Sequence, residues 1–283
     1  MTALRSGFAI VTPASRGLGF AFAQQLLKHT NLPIVASARK DCDGVQSRLL
    51  ESLKSDDATS AEERLTVYEV DVTNESSISE MSTNIRLKYP NSPLRLAITL
   101  PGILHVEKSP SQIDAANALD SFKVNALGPM LLMKHLSQFL PSRSTSPFQN
   151  EDNDAQGQGS SSNPPFCLPS HSIYTMMAAR VGSTSDNASG GWYSYRVSKA
   201  SVYQLAKTFD LYLRTRSKER AMAIAMHPGT VKTDFTRDYW NGREMLSADE
   251  SAERLLNVMC EMGSGDAEGR GRCWDWKGKE VLP

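Results

Sequence analysis

Tyr195 and Lys199 stand four residues apart in the run Tyr193-Ser194-Tyr195-Arg196-Val197-Ser198-Lys199. On a helix this spacing puts both on one face. An ammonium beside a phenol favours the phenolate, so the Tyr pKa moves from roughly 10 towards neutrality and the hydroxyl becomes a usable acid or base. Tyr and Lys meet this spacing by chance in many helices, and the pair takes its weight from the rest of the chain. Asn125, in Val124-Asn125-Ala126-Leu127-Gly128-Pro129-Met130, falls mid-helix, where an amide needs a partner. A kink that frees a carbonyl for bound water would supply one; a packing amide is the plain alternative.

A second set of residues suits an anionic ligand. In Thr12-Pro13-Ala14-Ser15-Arg16-Gly17-Leu18-Gly19, between an apolar run and an amphipathic stretch, Gly17 and Gly19 let backbone approach a pyrophosphate at a helix N-terminus. Ser15 and Arg16 add a hydroxyl and a cation, and Thr12 and Leu18 complete the turn. A bare Gly-x-Gly would serve close packing equally well. Arg39 ends the next apolar run. A carboxylate there would accept from a ribose 2′-OH, whereas an Arg pairs a 2′-phosphate, so Arg39 with Arg16 favours NADP(H) over NAD(H); a surface Arg is the alternative. Asp71, followed by Val72, could accept from an adenine amino group or simply open a turn. Pro228, Gly229, Val231 and Thr233 follow the sixth apolar run, where a Pro-Gly turn borders the ligand crevice of a parallel sheet.

Short apolar runs alternating with longer amphipathic stretches position these residues. Strands are predicted over 8–12, 32–38, 65–70, 94–100, 172–177 and 221–227, with a short last one over 273–276. Helices are predicted over 17–29, with Phe20, Ala23, Leu26 and Leu27 on one face, and near 44–53, then over 75–89, 115–139, 193–215 and 248–262. Asn74 caps the third of these, and Gly128-Pro129 kinks the fourth. Alternation of this kind implies an α/β fold: a Rossmann-like, doubly wound parallel sheet with helices on both faces, one domain spanning 1–283. Residues 141–165 break the rhythm. They are rich in Ser, Asn, Gln, Gly, Pro and Asp, cannot offset their ordering entropy, and read as an insertion without packed structure.

Lys+Arg and Asp+Glu both number 31, so no net field points to nucleic acid or an anionic membrane. Four scattered cysteines without a C-x-x-C fit reduced intracellular thiols, and the five histidines show no metal-ligand spacing. No apolar run approaches the roughly 18 residues of a membrane span. These features suggest a soluble cytoplasmic protein with no metal.

In order and spacing the motifs resemble the short-chain dehydrogenase/reductase superfamily. Gly190-Gly191-Trp192 leading into Tyr193–Lys199, and His227-Pro228-Gly229-Thr230-Val231-Lys232-Thr233-Asp234, are similar to its sniffer-type (C-factor-like) carbonyl reductase branch. The resemblance implies hydride transfer between C4 of a nicotinamide and a carbonyl carbon. It gives Tyr195 as general acid/base, Lys199 as the residue that lowers its pKa and holds the ribose, and Asn125 as anchor of a relay water. It also implies a homodimer or homotetramer through the two long helices. Three positions depart from the family. The first glycine of the cofactor loop is Pro13, which has no N–H. The Asn-Asn-Ala-Gly after strand four reads Thr99-Leu100-Pro101-Gly102, keeping Gly102 alone. The Ser that polarises the carbonyl maps to Ala179, in a stretch (176–180) without any hydroxyl. Ser183, Thr184 or Ser185 would substitute if their loop folds inward. The implied function is therefore a carbonyl reductase or alcohol dehydrogenase with weakened activity, with a non-catalytic NADP(H)-binding sensor or scaffold as the alternative. The substrate side would be lined by the loop after strand five and by 235–243, where Tyr239 and Trp240 suggest an apolar or aromatic small molecule.

Overall fold

The computed structural model describes residues 7–53, 55–149, 166–239, 245–265 and 269–283. Seven strands form one sheet in the order β3-β2-β1-β4-β5-β6-β7. They are β1 (Phe8–Thr12), β2 (Ile34–Ala38), β3 (Leu65–Glu69), β4 (Leu94–Thr99), β5 (Ser172–Met177), β6 (Ala221–His227) and β7 (Cys273–Asp275). All pairings are parallel. The central strands are fully buried, as apolar strands covered on both faces must be. Strand order reverses between β1 and β4, so a crevice opens there beyond the carboxyl ends of the strands.

One face is covered by α1 (Gly17–His29), α2 (Cys42–Glu51) and α8 (Ala248–Glu261). The other is covered by α4 (Glu75–Lys88), α6 (Gly128–Leu136) and α7 (Tyr193–Arg216), with α5 (Ala115–Phe122) preceding α6. Period-2 alternation sorts the strands between the faces. In β6, Met222, Ile224 and Met226 pack towards α1 and α8, whereas Ala221, Ala223 and Ala225 face α7. Small residues on that side let the 24-residue α7 lie close to the sheet.

Four sequence expectations need correction. On α1 the fully buried aromatic is Phe22, and Phe20 is only partly buried. An unpredicted helix, α3 (Ser55–Arg64), precedes β3. Its polar sequence carries no apolar stripe, and its end is held by Arg64, which donates to the carbonyls of Thr30 and Leu32 at 3.0 Å and of Leu27 at 3.1 Å. The long helix expected over 115–139 has its irregularity just before Gly128-Pro129, and Gly128 itself is helical (φ −53°, ψ −53°). The irregularity is a π turn over Lys123–Leu127 that contains Asn125, and Pro129, lacking an N–H, cannot donate to the Asn125 carbonyl. Finally, residues 141–149, assigned by composition to the insertion, are tied to the fold. Ser217 Oγ donates to the Pro141 carbonyl at 2.6 Å, and buried Phe148 lies under the Arg95 guanidinium at 5.2 Å. Residues 150–165 lie outside the described residues.

The α7–β6 packing is pinned by a buried ion cluster. Asp210 is fully buried and accepts from Arg270 Nε at 2.9 and 3.0 Å, Arg214 Nε at 2.9 Å and the Ala223 N–H at 3.2 Å. Arg270 also donates to the carbonyls of Lys218, Ser264 and Ala221. Removing the anion leaves a buried guanidinium uncompensated. Asp210→Ala should therefore lower unfolding stability by about 3–5 kcal/mol, read as a reduced midpoint in urea. An unchanged midpoint would mean the cluster holds nothing.

Candidate active site

The crevice is a cleft of about 1600 Å³ bounded by the β1, β3, β4, β5 and β6 carboxyl ends. Its first wall is the turn into α1. Gly17 sits at φ +56°, and a Cβ on Gly19 would fall 2.0 Å from the Pro13 carbonyl oxygen, so only glycine lets helix and turn meet so closely. The helix begins at Arg16 with no side-chain cap, which leaves its first N–H groups for a ligand. Thr233 closes this corner from the β6 side, with Cγ2 3.4 Å from where a Gly17 Cβ would stand. Thr12, like buried Ala14, does not line the cleft. It is fully buried and shares a 2.6 Å hydrogen bond with Ser37 Oγ, locking β1 to β2 beneath the loop.

Ser15, Arg16, Arg39, Asp71, Val72, Gly102, Pro228, Gly229 and Val231 all line the cleft. So does Lys40, a cation the sequence reading missed because it lies just past the end of β2. Arg16, Arg39 and Lys40 are exposed, and no ion pair ties them down among the described residues. Asp71 accepts from the Thr73 N–H at 2.9 Å and Thr73 Oγ1 at 2.7 Å. These bonds, with the Arg39 charge nearby, hold its carboxyl below the usual range. It thus both opens a turn and keeps its second oxygen for a ligand.

Tyr195 and Lys199 share one face of α7 and both border the cleft. Lys199 is buried (4% exposed), and burial pushes its pKa down to about 8. Its Nζ donates to the Met177 carbonyl at 2.8 Å and reaches the Pro101 carbonyl at 3.5 Å. An ammonium has three N–H donors, so one remains for a bound hydroxyl. Gly102 adjoins that space: a Cβ there would stand in ordinary contact with Nζ, at 3.5 Å. Tyr195 is 6% exposed and packs on Phe235 at 6.0 Å between ring centroids. Asn125 does not line the cleft. It donates from Nδ2 to the Ile103 carbonyl and to Ser198 Oγ, both at 2.9 Å, and accepts the Ile103 N–H at 2.8 Å. It joins the loop after β4 to α7, and Ser198 in turn donates to the Tyr195 carbonyl at 2.9 Å.

Beyond β5, Ala178, Ala179 and Arg180 line the cleft where a hydroxyl was sought. The Ser183–Ser185 loop does not fold inward: Ser183 is buried and its Oγ accepts the Asp186 N–H at 3.0 Å, while Ser185 Oγ donates to the Pro283 carbonyl at 2.7 Å. Arg180 occupies the space instead, donating to Asp186 at 2.6 Å and Asp275 at 2.9 Å. His227, beside it, accepts the Arg180 N–H on Nδ1 at 3.3 Å, and burial holds its pKa at about 4, so it is neutral. Phe235 and Thr236 reach the cleft. The Tyr239 side chain and Trp240 lie outside the described residues. No group of three His, Cys, Asp or Glu among the described residues could hold a metal, and no described helix is long and apolar enough to cross a membrane.

A seven-stranded parallel sheet with an uncapped glycine turn at its switch point defines a Rossmann-like α/β protein. Residues 7–146 match the family model described as short chain dehydrogenase. The chain belongs to the short-chain dehydrogenase/reductase superfamily. It is 37% identical over 81 residues to the 1-hydroxy-2-glutathionyl-2-methyl-3-butene dehydrogenase of Rhodococcus sp. (strain AD45), a stretch that is 29% of this chain and 34% of that enzyme. Among solved structures it is similar to the carbonyl reductase Sniffer of D. melanogaster, with 20% identity, TM-score 0.76, and 98% and 99% of the two chains covered. It is also similar to an NADPH-bound carbonyl reductase from chicken fatty liver, with 21% identity, TM-score 0.75, and 99% and 100% covered. At that identity the two structures speak to the shared fold.

Proposed function

We propose that the chain is an NADP(H)-dependent carbonyl reductase of the sniffer-type branch, acting on a small-molecule carbonyl or the corresponding alcohol. The observation that carries this reading is the buried Lys199 beside Tyr195 at a cleft that also contains an uncapped helix N-terminus and unpaired cations. The residues fit a dinucleotide phosphate. The α1 N–H groups, Ser15 and Thr233 suit a pyrophosphate, and Arg16, Arg39 and Lys40 suit a 2′-phosphate. Val72 and Asp71 suit the adenine, Lys199 a ribose hydroxyl, and Gly102 with Pro228–Val231 leave room for a nicotinamide. When bound, that group supplies the hydride acceptor or donor. Tyr195 then delivers a proton to the carbonyl oxygen, Lys199 stabilises the phenolate left behind, and Asn125 holds α7 against the loop after β4 so that both stay in place.

Ala179 supports a second reading, a non-catalytic NADP(H) sensor or scaffold, since binding a nucleotide needs no hydroxyl there. The two are separated by following NADPH consumption over a panel of ketones, aldehydes and quinones beside a fluorescence binding titration; binding without turnover favours the sensor. If the chain is a reductase lacking one preorganised donor, Ala179→Ser should raise kcat/KM on an accepted carbonyl by roughly tenfold or more at unchanged NADPH affinity. A fall in kcat/KM would show that Arg180 and His227 already fill that role. A homodimer or homotetramer is supported by exposed apolar side chains on the long helices: Leu119, Phe122 and Met130 on one pair, Val197, Leu211 and Tyr212 on α7. Four free cysteines suit a reducing cytoplasm.

A further inference from the structure

The first turn of α7, which carries Tyr195, is gripped by a buried acid from another part of the chain. Glu107 lies in the loop between β4 and α5 and is 2% exposed. Its Oε2 accepts the Ser194 N–H at 2.7 Å, its Oε1 accepts Ser194 Oγ, and its carbonyl accepts the Trp192 N–H at 2.6 Å. Trp192 enters the helix in a left-handed conformation, φ 50°. From the other side Arg196 donates to the carbonyls of Gly191 at 2.9 Å, Gly190 at 2.9 Å and Val181 at 3.0 Å. A buried carboxylate is costly unless its oxygens are bonded, and the positive end of a helix is where it costs least. No salt bridge to Glu107 exists among the described residues, so the helix start itself is its counter-charge.

We propose that Glu107 is a positioning residue for Tyr195. It fixes the first helical turn from the β4 loop through Ser194, the residue before Tyr195, and the negative charge it brings to that turn opposes ionisation of the phenol so that the proton is retained until it is transferred. The inference rests on the reading of Tyr195 as proton donor. Other charged or titratable groups at this end of the cleft are Lys199 and Arg196 on α7, Asp120 on α5, Arg180 and Asp186 after β5, and His227 and Asp234 at β6 and beyond. On this proposal the Lys199 ammonium favours the phenolate and the Glu107 carboxylate favours the neutral phenol.

Two variants separate clamp from charge. In Glu107→Gln the amide oxygen can still accept the Ser194 N–H and the amide NH₂ can donate to Ser194 Oγ, so only the charge is lost. Glu107→Ala removes both. Tyr195 ionisation is read on the protein without nucleotide, from the ultraviolet difference between each protein and its Tyr195→Phe counterpart. Glu107→Gln should lower that pKa by roughly half a unit or more, with NADPH affinity unchanged. Glu107→Ala should cut kcat by about tenfold to a hundredfold, with carbonyl KM and NADPH affinity altered less than about twofold. A Tyr195 titration unmoved in Glu107→Gln overturns the charge role. Wild-type kcat in a folded Glu107→Ala overturns the clamp. A native chain that reduces no carbonyl would sink the functional reading, and the titration would still decide the role of Glu107.

Discussion

Replacing Tyr195 by Phe should cut carbonyl reduction by about 10²–10⁴-fold and leave NADPH affinity where it was. The phenol lines the cleft together with the buried ammonium of Lys199, and Phe fills the same space against Phe235 without supplying a proton. The pH dependence follows from Lys199. Burial has brought its pKa down to about 8, so the ammonium loses its proton as pH rises through that value. A neutral amine no longer stabilises the phenolate that proton delivery creates, so the rate of reduction falls above about pH 8, and Lys199→Met should remove most of that limb along with most of the rate. A steady-state pH profile of wild type and both variants checks this. Residual wild-type activity that survives Tyr195→Phe would assign the chemistry to other residues, with Tyr193 the first to test.

NADPH should bind at least tenfold more tightly than NADH. Arg16 and Arg39 both border the cleft, and Lys40, next to Arg39 in the chain, adds a third cation to its lining. Each charge-assisted contact to a phosphate is worth roughly 1.5–3 kcal/mol, and solvent exposure of all three takes part of that back. One surviving contact already gives the tenfold ratio. Arg39→Asp replaces a donor with an acceptor suited to a 2′-hydroxyl, so the ratio should shrink or reverse. Fluorescence titration of both nucleotides on both proteins measures it, and equal affinities on the wild-type chain would sink the assignment. Raising the salt should narrow the wild-type ratio, because exposed cations are screened.

What could be read from the chain beforehand was whatever repeats with the period of an element. The β1, β5 and β6 strands and the α1 helix begin and end where apolar periodicity places them, because each buries most of its pattern. The helix α3 was invisible for the opposite reason: it offers the core Ala61 and is held by Arg64 reaching three carbonyls, a tertiary effect with no local signature. Asn125 could be named but not placed. Its partners, Ile103 and Ser198, are 22 and 73 residues away, and its π turn reflects the missing N–H of Pro129 more than the glycine before it. Glu107 was out of reach altogether. A lone Glu in a polar loop carries no pattern, and only the fold brings it to the start of α7, 87 residues on. Arg180 is similar, since its neighbours Asp275 and His227 come from other strands.

On the proposed function, this cleft transfers hydride between a nicotinamide and a carbonyl under the control of Tyr195. The most direct measurement uses NADPH deuterated at the transferable C4 position, a panel of ketones, aldehydes and quinones, and mass spectrometry of the products. An alcohol carrying one deuterium on the former carbonyl carbon is expected, formed in step with NADP⁺ by the wild-type chain and absent with Tyr195→Phe. Tight NADPH binding with no deuterium in any product would contradict it and leave a nucleotide-binding sensor.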